Sequence, residues 1–483
     1  MRRLIGNFGR LELVAFMSGF SLMAFELVGA RMLAPTIGSS TYVWTSVIGV
    51  IIAALSIGYF VGGKLADLRG YTGDVALLCL AIAFAVGYAL ILFDGAMREV
   101  VLLTDDARLQ GVLASLLLFA PTSLLLGILS PYLVKLKVTS LAAAGQSVAG
   151  LSAFNSIGGI AGTFVTGFII FSYIGSREAL FAIVLLMLIA SWIIEPRIRW
   201  KLRAGFSLTV VVIVLLPLIQ KQDYIRIDTP SANYEVKTGQ LDSGITSSIR
   251  YLTTGPNSAQ SGVYAQQPDQ LAFWYTQEIA RITGLTSSKK NILILGGGAF
   301  TMPEYLARKY PGSMIDVVEI DPSLVSIAEK YFDYTPLNNI HVIDADARAY
   351  VNTAIKQYDV VIIDVYSDSS VPFSLLTKEY GASLNAIISA DSTVIINTIA
   401  AKSGPCQDIL KAVDGTYRSF APYASISQKG ITPSQASSNL ILAYTKHPRR
   451  FEGMEAFDSQ RGFMYTDNFM PVERLQQSCA AVS

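Results

Sequence analysis

The chain has 483 residues, of which 52% are hydrophobic and only 15% are charged. This composition excludes a purely soluble protein, because a chain this apolar must place part of its length in lipid. The formal net charge is +1 and no basic run is interleaved with aromatic residues, which argues against nucleic acid as a partner.

Seven apolar stretches in the first half of the chain are long enough to cross about 30 Å of hydrocarbon. They occupy roughly residues 11 to 33, 41 to 63, 74 to 93, 110 to 134, 147 to 172, 178 to 194 and 204 to 219. The first stretch lacks a small-residue cleavage site, so we expect it to be retained. The sequence therefore predicts a polytopic α-helical membrane domain over residues 1–222.

Basic residues mark alternate connections between these stretches. They precede the first stretch and follow the second, fourth and sixth: Arg2, Arg3, Arg10, Lys64, Arg69, Lys135, Lys137, Arg197, Arg199, Lys201 and Arg203. Loops rich in Lys and Arg stay in the cytoplasm. We therefore expect a multi-pass protein of the cell (inner) membrane with a cytoplasmic N-terminus.

Two ionisable residues lie in the first apolar stretch, Glu26 in its interior and Arg31 near its end. An ionisable group at membrane depth is a functional candidate because its burial is costly. Alternatively, Arg31 snorkels to the interface and Glu26 pairs with it or with a neighbouring helix. The sequence leaves both interpretations open.

From about residue 223 the hydrophobicity falls and a different pattern begins. Residues 225–253 are predicted to form short strands, 254–268 a loop and 270–284 a helix. We treat 223–290 as a β-rich lead-in that contains a substrate loop.

Strands and helices alternate from residue 291 onward. The predicted strands are 291–295, 314–320, 340–343, 358–363 and 392–399, and the predicted helices are 301–310, 322–331, 346–356 and 375–389. This alternation predicts a doubly wound parallel sheet, that is, a Rossmann-like domain over residues 291–483.

Glycines and acidic residues stand where these predicted strands end. They are Gly296, Gly297 and Gly298 after the first strand, Glu319 at the end of the second, Asp346 after the third and Asp364 after the fourth. Ligands of such sheets bind at the carboxyl ends of the strands, and glycine lets the backbone approach a ligand closely. Glu319 is placed to accept both ribose hydroxyls and Asp346 to meet an adenine amino group. The pattern predicts a nucleoside-binding domain.

Residues 291–380 resemble spermidine synthase, a polyamine aminopropyltransferase, and the whole chain resembles the bacterial membrane-fused members of that group. In that family decarboxylated S-adenosylmethionine donates an aminopropyl group to putrescine and leaves methylthioadenosine. The resemblance implies that Glu319 holds the ribose, that Asp346 holds the adenine and that Gln260 contacts the nucleoside.

The same resemblance implies catalytic residues after the fourth strand. Asp368 stands four residues before Pro372, and the helix start Leu-Leu-Thr-Lys-Glu-Tyr follows at 375–380, as in the family. A carboxylate at 368 would orient the attacking amine and accept its proton. Asp364 and Tyr366 would position the amine or the aminopropyl arm.

Two positions depart from the family pattern. The family's glycine-rich turn continues with an acidic residue, whereas this chain has Ala299. The aspartate pair, Asp364 and Asp368, is spaced one residue wider than in the family.

The expected function is therefore a membrane-embedded polyamine aminopropyltransferase that uses decarboxylated S-adenosylmethionine as co-substrate. The expected partners are an amine such as putrescine and the lipid bilayer, and a homodimer is left open. One alternative is methyl transfer from intact S-adenosylmethionine, which the same sheet supports. The other is a polyamine transporter or sensor with a non-catalytic nucleoside-binding domain, which Ala299 favours.

Cysteine and histidine usage bears on metals and on the compartment. Cys79, Cys406 and Cys479 include no Cys-x-x-Cys pair, and with His341 and His447 they do not form a usual metal site. We therefore expect no catalytic metal.

The side of the membrane on which the second half lies depends on the seventh stretch. If that stretch crosses, the second half is outside the cytoplasm, and Cys406 and Cys479 could pair in an oxidising compartment. The stretch is short and ends in Pro217, so it could instead lie in the interface. We favour a cytoplasmic second half, where adenosyl cofactors are available, and leave the other placement open.

Overall fold

The computed structural model describes most of the chain. The described ranges are 9–38, 40–104, 106–138, 140–195, 200–219, 224–240, 248–254, 259–366, 371–404, 406–428, 438–459, 462–471 and 474–475. The chain divides into two compact units. One unit is Met1–Gln222 with Asp228–Pro230, and the other is Asp223–Ile227 with Ser231–Ser483.

The first unit is helical. Its helices are α1 (Arg10–Ile37), α2 (Thr41–Leu68), α3 (Thr72–Leu103), α4 (Ala107–Leu118), α5 (Ala120–Lys137), α6 (Leu141–Val165), α7 (Phe171–Tyr173), α8 (Ser176–Ile194) and α9 (Trp200–Ile219), with a π-helical turn at Thr166–Ile170. Within the described ranges, five helices are long and apolar enough to cross a membrane, or six if the bent pair α4–α5 is one span.

The stretch predicted as one span over 110–134 is two helices, bent by 53° relative to each other. The break lies at Phe119, and Pro121 occupies the first turn of α5. Proline lacks the backbone N–H that a continuous helix needs, but the first turn of a helix tolerates it. The apolar pattern continues through the break, so hydropathy alone does not reveal it.

Glycines let α1 and α6 approach closely. A Cβ atom added to Gly158 of α6 would lie 2.0 Å from the carbonyl oxygen of Phe16, and one added to Gly162 would lie 2.5 Å from that of Phe20. Backbones that approach this closely gain van der Waals contact, which is the main attraction between helices in lipid.

The chain then forms a five-stranded sheet in the order β1-β2-β3-β4-β5. Its strands are β1 (Ile225–Asp228), β2 (Asn233–Gln240), β3 (Ser248–Thr253), β4 (Ala259–Tyr264) and β5 (Gln267–Leu271). The prediction of a loop over 254–268 was therefore wrong in its second half. Because β4 is rich in Gly, Ser and Gln, its sequence does not show the pattern of a strand. Pairing with β3 and the burial of Val263 and Tyr264 nevertheless stabilise it in the sheet.

The remaining elements form an eight-stranded sheet in the order β13-β11-β12-β10-β9-β6-β7-β8. In chain order they are α10 (Trp274–Leu285), β6 (Asn291–Leu295), α11 (Thr301–Lys309), β7 (Met314–Glu319), α12 (Ser323–Tyr331), β8 (Ile340–Asp344), α13 (Ala347–Thr353), β9 (Tyr358–Ile363), α14 (Lys378–Ala386), β10 (Ile388–Ala400), α15 (Gln407–Arg418), β11 (Tyr423–Gln428), β12 (Ser438–Thr445) and β13 (Glu455–Phe457). The Rossmann-like α/β prediction is confirmed.

The sheet is mixed rather than wholly parallel. Strands β10, β9, β6, β7 and β8 are parallel, whereas β12 pairs antiparallel with β10 and β11, and β13 pairs antiparallel with β11. A parallel neighbour needs a long crossover connection, and β11 and β12 follow each other without a helix among the named elements. This explains the change of direction.

The helix predicted over 375–389 is shorter, since α14 begins at Lys378. The side chain of Thr377 accepts a hydrogen bond from the backbone N–H of Tyr380 (3.3 Å) and caps the helix. At the other end, Ile388 pairs with Tyr358 and starts β10. Similarly, α13 ends at Thr353 rather than at residue 356.

The glycine contact between α1 and α6 can be tested with a matched pair of variants on α6. We expect Gly158→Ala to lower the thermal unfolding temperature of the detergent-purified protein, because its Cβ would overlap the Phe16 carbonyl oxygen. The scale for such overpacking is about 1 to 3 kcal/mol. Gly150→Ala is the control, since a Cβ there meets nothing within 4 Å. Equal unfolding temperatures for the two variants would contradict the packing argument.

Candidate active site

The turn between β6 and α11 is shaped by glycine. Gly296 has φ +92° and Gly298 has φ +52°, values that side-chain-bearing residues rarely adopt. A Cβ on Gly296 would lie 2.4 Å from the carbonyl oxygen of Asp364, and one on Gly298 would lie 2.5 Å from Oγ of Ser261. The turn is therefore held between the end of β9 and strand β4.

The carboxylate of Glu319, at the end of β7, accepts hydrogen bonds from four backbone N–H groups. One oxygen accepts from Gly297 (2.8 Å) and Gly298 (3.3 Å), and the other from Ile320 (2.8 Å) and Asp321 (3.1 Å). The side chain thus ties the glycine turn to the neighbouring strand end.

Glu319 is only 8% exposed. Burial raises the pKa of its carboxyl group above the usual value, while the four backbone N–H groups oppose that rise. Beside it, the hydroxyl of Tyr234 hydrogen-bonds to Asp321. The acid predicted to meet ribose hydroxyls therefore has a structural role in the fold.

Asp364 follows β9 on the other side of the turn. Its Oδ1 accepts a hydrogen bond of 2.9 Å from the Asn397 side chain. Burial raises the pKa of Asp364 to about 6, although the bond from Asn397 acts in the opposite direction. Tyr275 lies close to Asp364 and Tyr366. Burial raises the pKa of the Tyr275 hydroxyl group well above the usual value, and the charges of these two neighbours raise it further. The fold thus brings Asp364, Tyr366, Tyr275 and Asn397 together.

Asn397 was not identified from the sequence as a site residue. It is 2% exposed and lies within the apolar strand β10. Its donor reaches Asp364, whereas its Oδ1 has no hydrogen-bond partner among the described atoms. A polar residue inside a buried strand normally has a reason to be there, so the run Ile-Ile-Asn-Thr-Ile at 395–399 was the available signal.

Ala299, at the position where the family carries an acid, is fully buried. Its backbone N–H donates to Oγ of Ser261 (3.0 Å). The neighbouring Gln260 donates from its side chain to Thr254 (2.9 Å), and its backbone carbonyl accepts from the hydroxyl of Tyr275. Ser261 is thus the polar side chain that meets the turn at this point.

Two further predicted site residues are Asp346 and Asp368. Asp346 is exposed, and its Oδ1 caps α13 by accepting from the backbone N–H of Ala349 (2.8 Å). Asp368, the predicted catalytic residue, lies outside the described residues.

A later segment of the chain, which contains Tyr465 and Asp467, packs beside the start of α14. Oδ1 of Asp467 accepts from the Thr377 hydroxyl (2.6 Å), and Oδ2 accepts from Arg348 (2.8 Å). Arg348 also donates to the backbone carbonyl of Ser374 (2.9 Å), and the backbone N–H of Lys378 donates to the carbonyl of Tyr465 (2.9 Å). The network fixes the chain that follows residues 367–370, a role that the sequence did not indicate.

In the parts of the chain that the structure describes, His, Cys, Asp and Glu form no group of three or more that could hold a metal ion.

A glycine turn after one parallel strand, an acid at the end of the next and a partly buried acid after a third are typical of Rossmann-like domains, whose ligands bind at the carboxyl ends of the strands. Residues 272–440 match the family described as "Spermine/spermidine synthase domain". This part of the chain is therefore similar to the spermine/spermidine synthase domain, in agreement with the resemblance seen in the sequence.

Individual relatives match over parts of their length. A polyamine aminopropyltransferase of Vibrio vulnificus is 31% identical over 184 residues, which are 37% of this chain and 58% of the relative. An N-terminal histidine N-methyltransferase of Emericella nidulans is 36% identical over 112 residues, 22% of this chain and 19% of the relative. The crystal structure of a probable spermidine synthase from Corynebacterium glutamicum is 18% identical, with a TM-score of 0.42, over 49% of this chain and 95% of that one.

The turn geometry predicts the effect of a single methyl group. We expect Gly296→Ala to abolish nucleoside binding and to lower the unfolding temperature, because the residue has a left-handed φ and its Cβ would overlap the Asp364 carbonyl oxygen. Calorimetric titration with methylthioadenosine measures the binding. Gly312→Ala is the control, since a Cβ there meets nothing within 4 Å. Wild-type affinity in Gly296→Ala would show that the turn does not form the binding site.

Proposed function

We propose that this protein is a membrane-embedded aminopropyltransferase that uses decarboxylated S-adenosylmethionine as the donor and putrescine or a related amine as the acceptor. The observation that carries the proposal is the match of residues 272–440 to the spermine/spermidine synthase family, over the same sheet that holds the glycine turn, Glu319 and Asp364. In this proposal the protein is a multi-pass protein of the cell (inner) membrane with a cytoplasmic N-terminus.

The donor would bind along the carboxyl edge of the parallel strands. In our assignment Gly296, Gly297 and Gly298 line the nucleoside and Glu319 accepts hydrogen bonds from the ribose hydroxyls. Asp346 contacts the base, and Gln260 also contacts the nucleoside. A carboxylate oxygen can accept more than one hydrogen bond, so Glu319 can meet ribose while it holds the turn.

The transfer step requires a neutral amine. The amine nitrogen attacks the methylene carbon next to the sulfonium sulfur, the new N–C bond forms as the C–S bond breaks, and the electron pair of that bond neutralises the sulfur. The products are the extended amine, methylthioadenosine and one proton. We assign Asp368 to orient the amine and accept that proton. Asp364 and Tyr366 position the acceptor amine or the aminopropyl arm.

The partly buried carboxyl of Asp364 suits a cationic substrate. An amine that arrives protonated is attracted to an ionised carboxylate, and the attraction strengthens where water is partly excluded. Since its pKa is about 6, the group is largely ionised at neutral pH. The hydrogen bond from Asn397 occupies one oxygen and leaves the second for substrate.

Methyl transfer from intact S-adenosylmethionine is the second candidate. The similarity to an N-methyltransferase over 112 residues favours it, and the two reactions share the nucleoside site. They differ in the donor, because intact S-adenosylmethionine carries a carboxylate that the decarboxylated form lacks.

Product analysis distinguishes these reactions. We expect the detergent-purified protein to form spermidine and methylthioadenosine from putrescine and decarboxylated S-adenosylmethionine, and no methylated product from intact S-adenosylmethionine, as measured by mass spectrometry. Asp368→Asn is the control, which we expect to lose turnover while it still binds the nucleoside. Methylated amine from the second mixture would favour the methyltransferase. Nucleoside binding without product from either mixture would favour the sensor or transporter.

The raised pKa of Asp364 predicts a pH profile. If the ionised carboxylate is needed, the pH profile of kcat/KM has an acidic limb, in which kcat/KM rises with pH around pH 6. In Asn397→Leu the hydrogen bond that opposes the rise is gone, so the pKa of Asp364 increases and the limb moves to higher pH. If the hydrogen bond stabilises the ionised carboxylate by about 1.4 kcal/mol, its removal moves the limb by about one pH unit. An unshifted limb in Asn397→Leu would remove Asp364 from the rate-controlling ionisation.

A further inference from the structure

The last helix of the helical unit begins beside the end of α8. Arg203, in the first turn of α9, donates to the backbone carbonyls of Ser191 and Glu195, and to Oγ of Ser191 at 2.9 Å. The side chain of Glu195 in turn accepts a hydrogen bond of 2.8 Å from Thr72, the first residue of α3. The start of α3, the end of α8 and the start of α9 therefore lie at one end of the bundle.

From this end α9 runs along the bundle. The rings of Phe206 on α9 and Phe84 on α3 are 6.3 Å apart, and Val210 is 3% exposed. Both helices start at the same end, so this contact places them side by side and pointing the same way. With 20 residues and about 1.5 Å per residue, α9 is about 30 Å long, which equals the hydrocarbon thickness of a bilayer.

The chain that follows α9 makes a contact at the opposite end of the bundle. Asp228, which groups with the helical unit, accepts a hydrogen bond of 2.7 Å from the backbone N–H of Ser176. Ser176 is the first residue of α8 and so lies a whole helix away from Glu195. If α9 lay flat in one interface, the chain at its start and the chain that follows it would not make contacts at opposite ends of the bundle.

The charges of the two ends differ. The end that holds Thr72, Glu195 and Arg203 also carries the described cations at or just after the ends of α2 and α5 and at the start of α9, namely Lys64, Arg69, Lys135, Lys137 and Lys201. At the other end Arg177 is paired with Asp94 at 2.7 Å. By the positive-inside rule the cation-rich end faces the cytoplasm. The end that holds Ser176 and Asp228 therefore faces away from it.

A separate observation comes from the α/β unit. Cys406, at the start of α15, is disulfide-bonded, whereas Cys79 within α3 is free and buried. Cys479, which the sequence indicates as a candidate disulfide partner of Cys406, lies outside the described residues. Disulfides persist in oxidising compartments and are rare in the cytosol.

From these contacts we infer that α9 crosses the membrane as a seventh span and that the nucleoside-binding unit lies on the non-cytoplasmic face. This is the opposite of the placement favoured from the sequence. The inference does not rest on the proposed activity. It does constrain that activity, because a nucleoside donor made in the cytoplasm must cross the membrane before the transfer reaction, so a transport step has to precede it.

Thiol labelling of the full-length protein in cells with an intact inner membrane tests the inference. Ile355→Cys reports on the α/β unit, and Leu141→Cys is its matched control at the cation-rich end, since these residues are 96% and 95% exposed. Tyr173→Cys, where the residue is 84% exposed, reports on the opposite end. We expect a membrane-impermeant maleimide to label Ile355→Cys and Tyr173→Cys at once and Leu141→Cys only after permeabilisation.

Protection of Ile355→Cys in intact cells, together with labelling of Tyr173→Cys, would overturn the inference. Labelling of Leu141→Cys but not Tyr173→Cys would overturn the assigned orientation, and the inference with it. As a second readout, mass spectrometry of acid-trapped protein should show that the Cys406 peptide is alkylated only after reduction, and a free Cys406 thiol would count against the placement. These readouts need no turnover, so an inactive protein tests the inference equally well.

Discussion

The buried carboxylate of Glu319 is the group on which the geometry of the glycine turn and its neighbours depends. An ionised carboxylate at 8% exposure is unfavourable unless hydrogen bonds replace the lost water. Here four backbone N–H groups do so, two from the glycine turn and two from the chain that leaves β7. Because one side chain satisfies both segments, the ends of β6 and β7 cannot move apart without exposing several unpaired groups.

The position of the turn then constrains its neighbours. With the turn fixed, Gly296 lies against the backbone of Asp364 and Gly298 against Ser261, so the acid after β9 and the strand β4 are located by the same carboxylate. This is why a residue predicted only to hold ribose has a structural effect as well. Its replacement would disturb Asp364 and Ser261, which are far from it in the sequence.

The presence of Ala299 where the related family carries an acid leaves the turn with one negative charge fewer. The resemblance to spermidine synthases places an acid at this position, where it would attract a cationic aminopropyl group. In this chain the turn is instead met by the neutral hydroxyl of Ser261. Loss of one carboxylate removes about 1 kcal/mol of attraction where solvent screens the charges, and more where it does not. In the proposed reaction, donor recognition then depends more on the nucleoside than on the charge of its side arm.

The sequence predicted the elements whose signals are local. Strands β6 and β9 match their predicted bounds, since each is a short apolar run that ends at a turn signal or an acid. Strand β4 was missed because its stability comes from pairing with β3 rather than from its own composition. The partnership of Asn397 with Asp364 joins residues 33 positions apart, and only the parallel pairing of β9 and β10 brings them together.

The charged groups of the helical unit bear on whether it transports a substrate. Transporter sites are usually built near the middle of the bilayer from broken helices and polar groups. In this unit Lys137 is bonded to Glu12, near the ends of α5 and α1, and Arg31 lies over the ring of Phe171 at 4.3 Å. These contacts favour a structural role for Arg31. Glu26 lies nearer the middle of α1, so a transport role for the helices, including delivery of a donor to the far side, would depend on that acid.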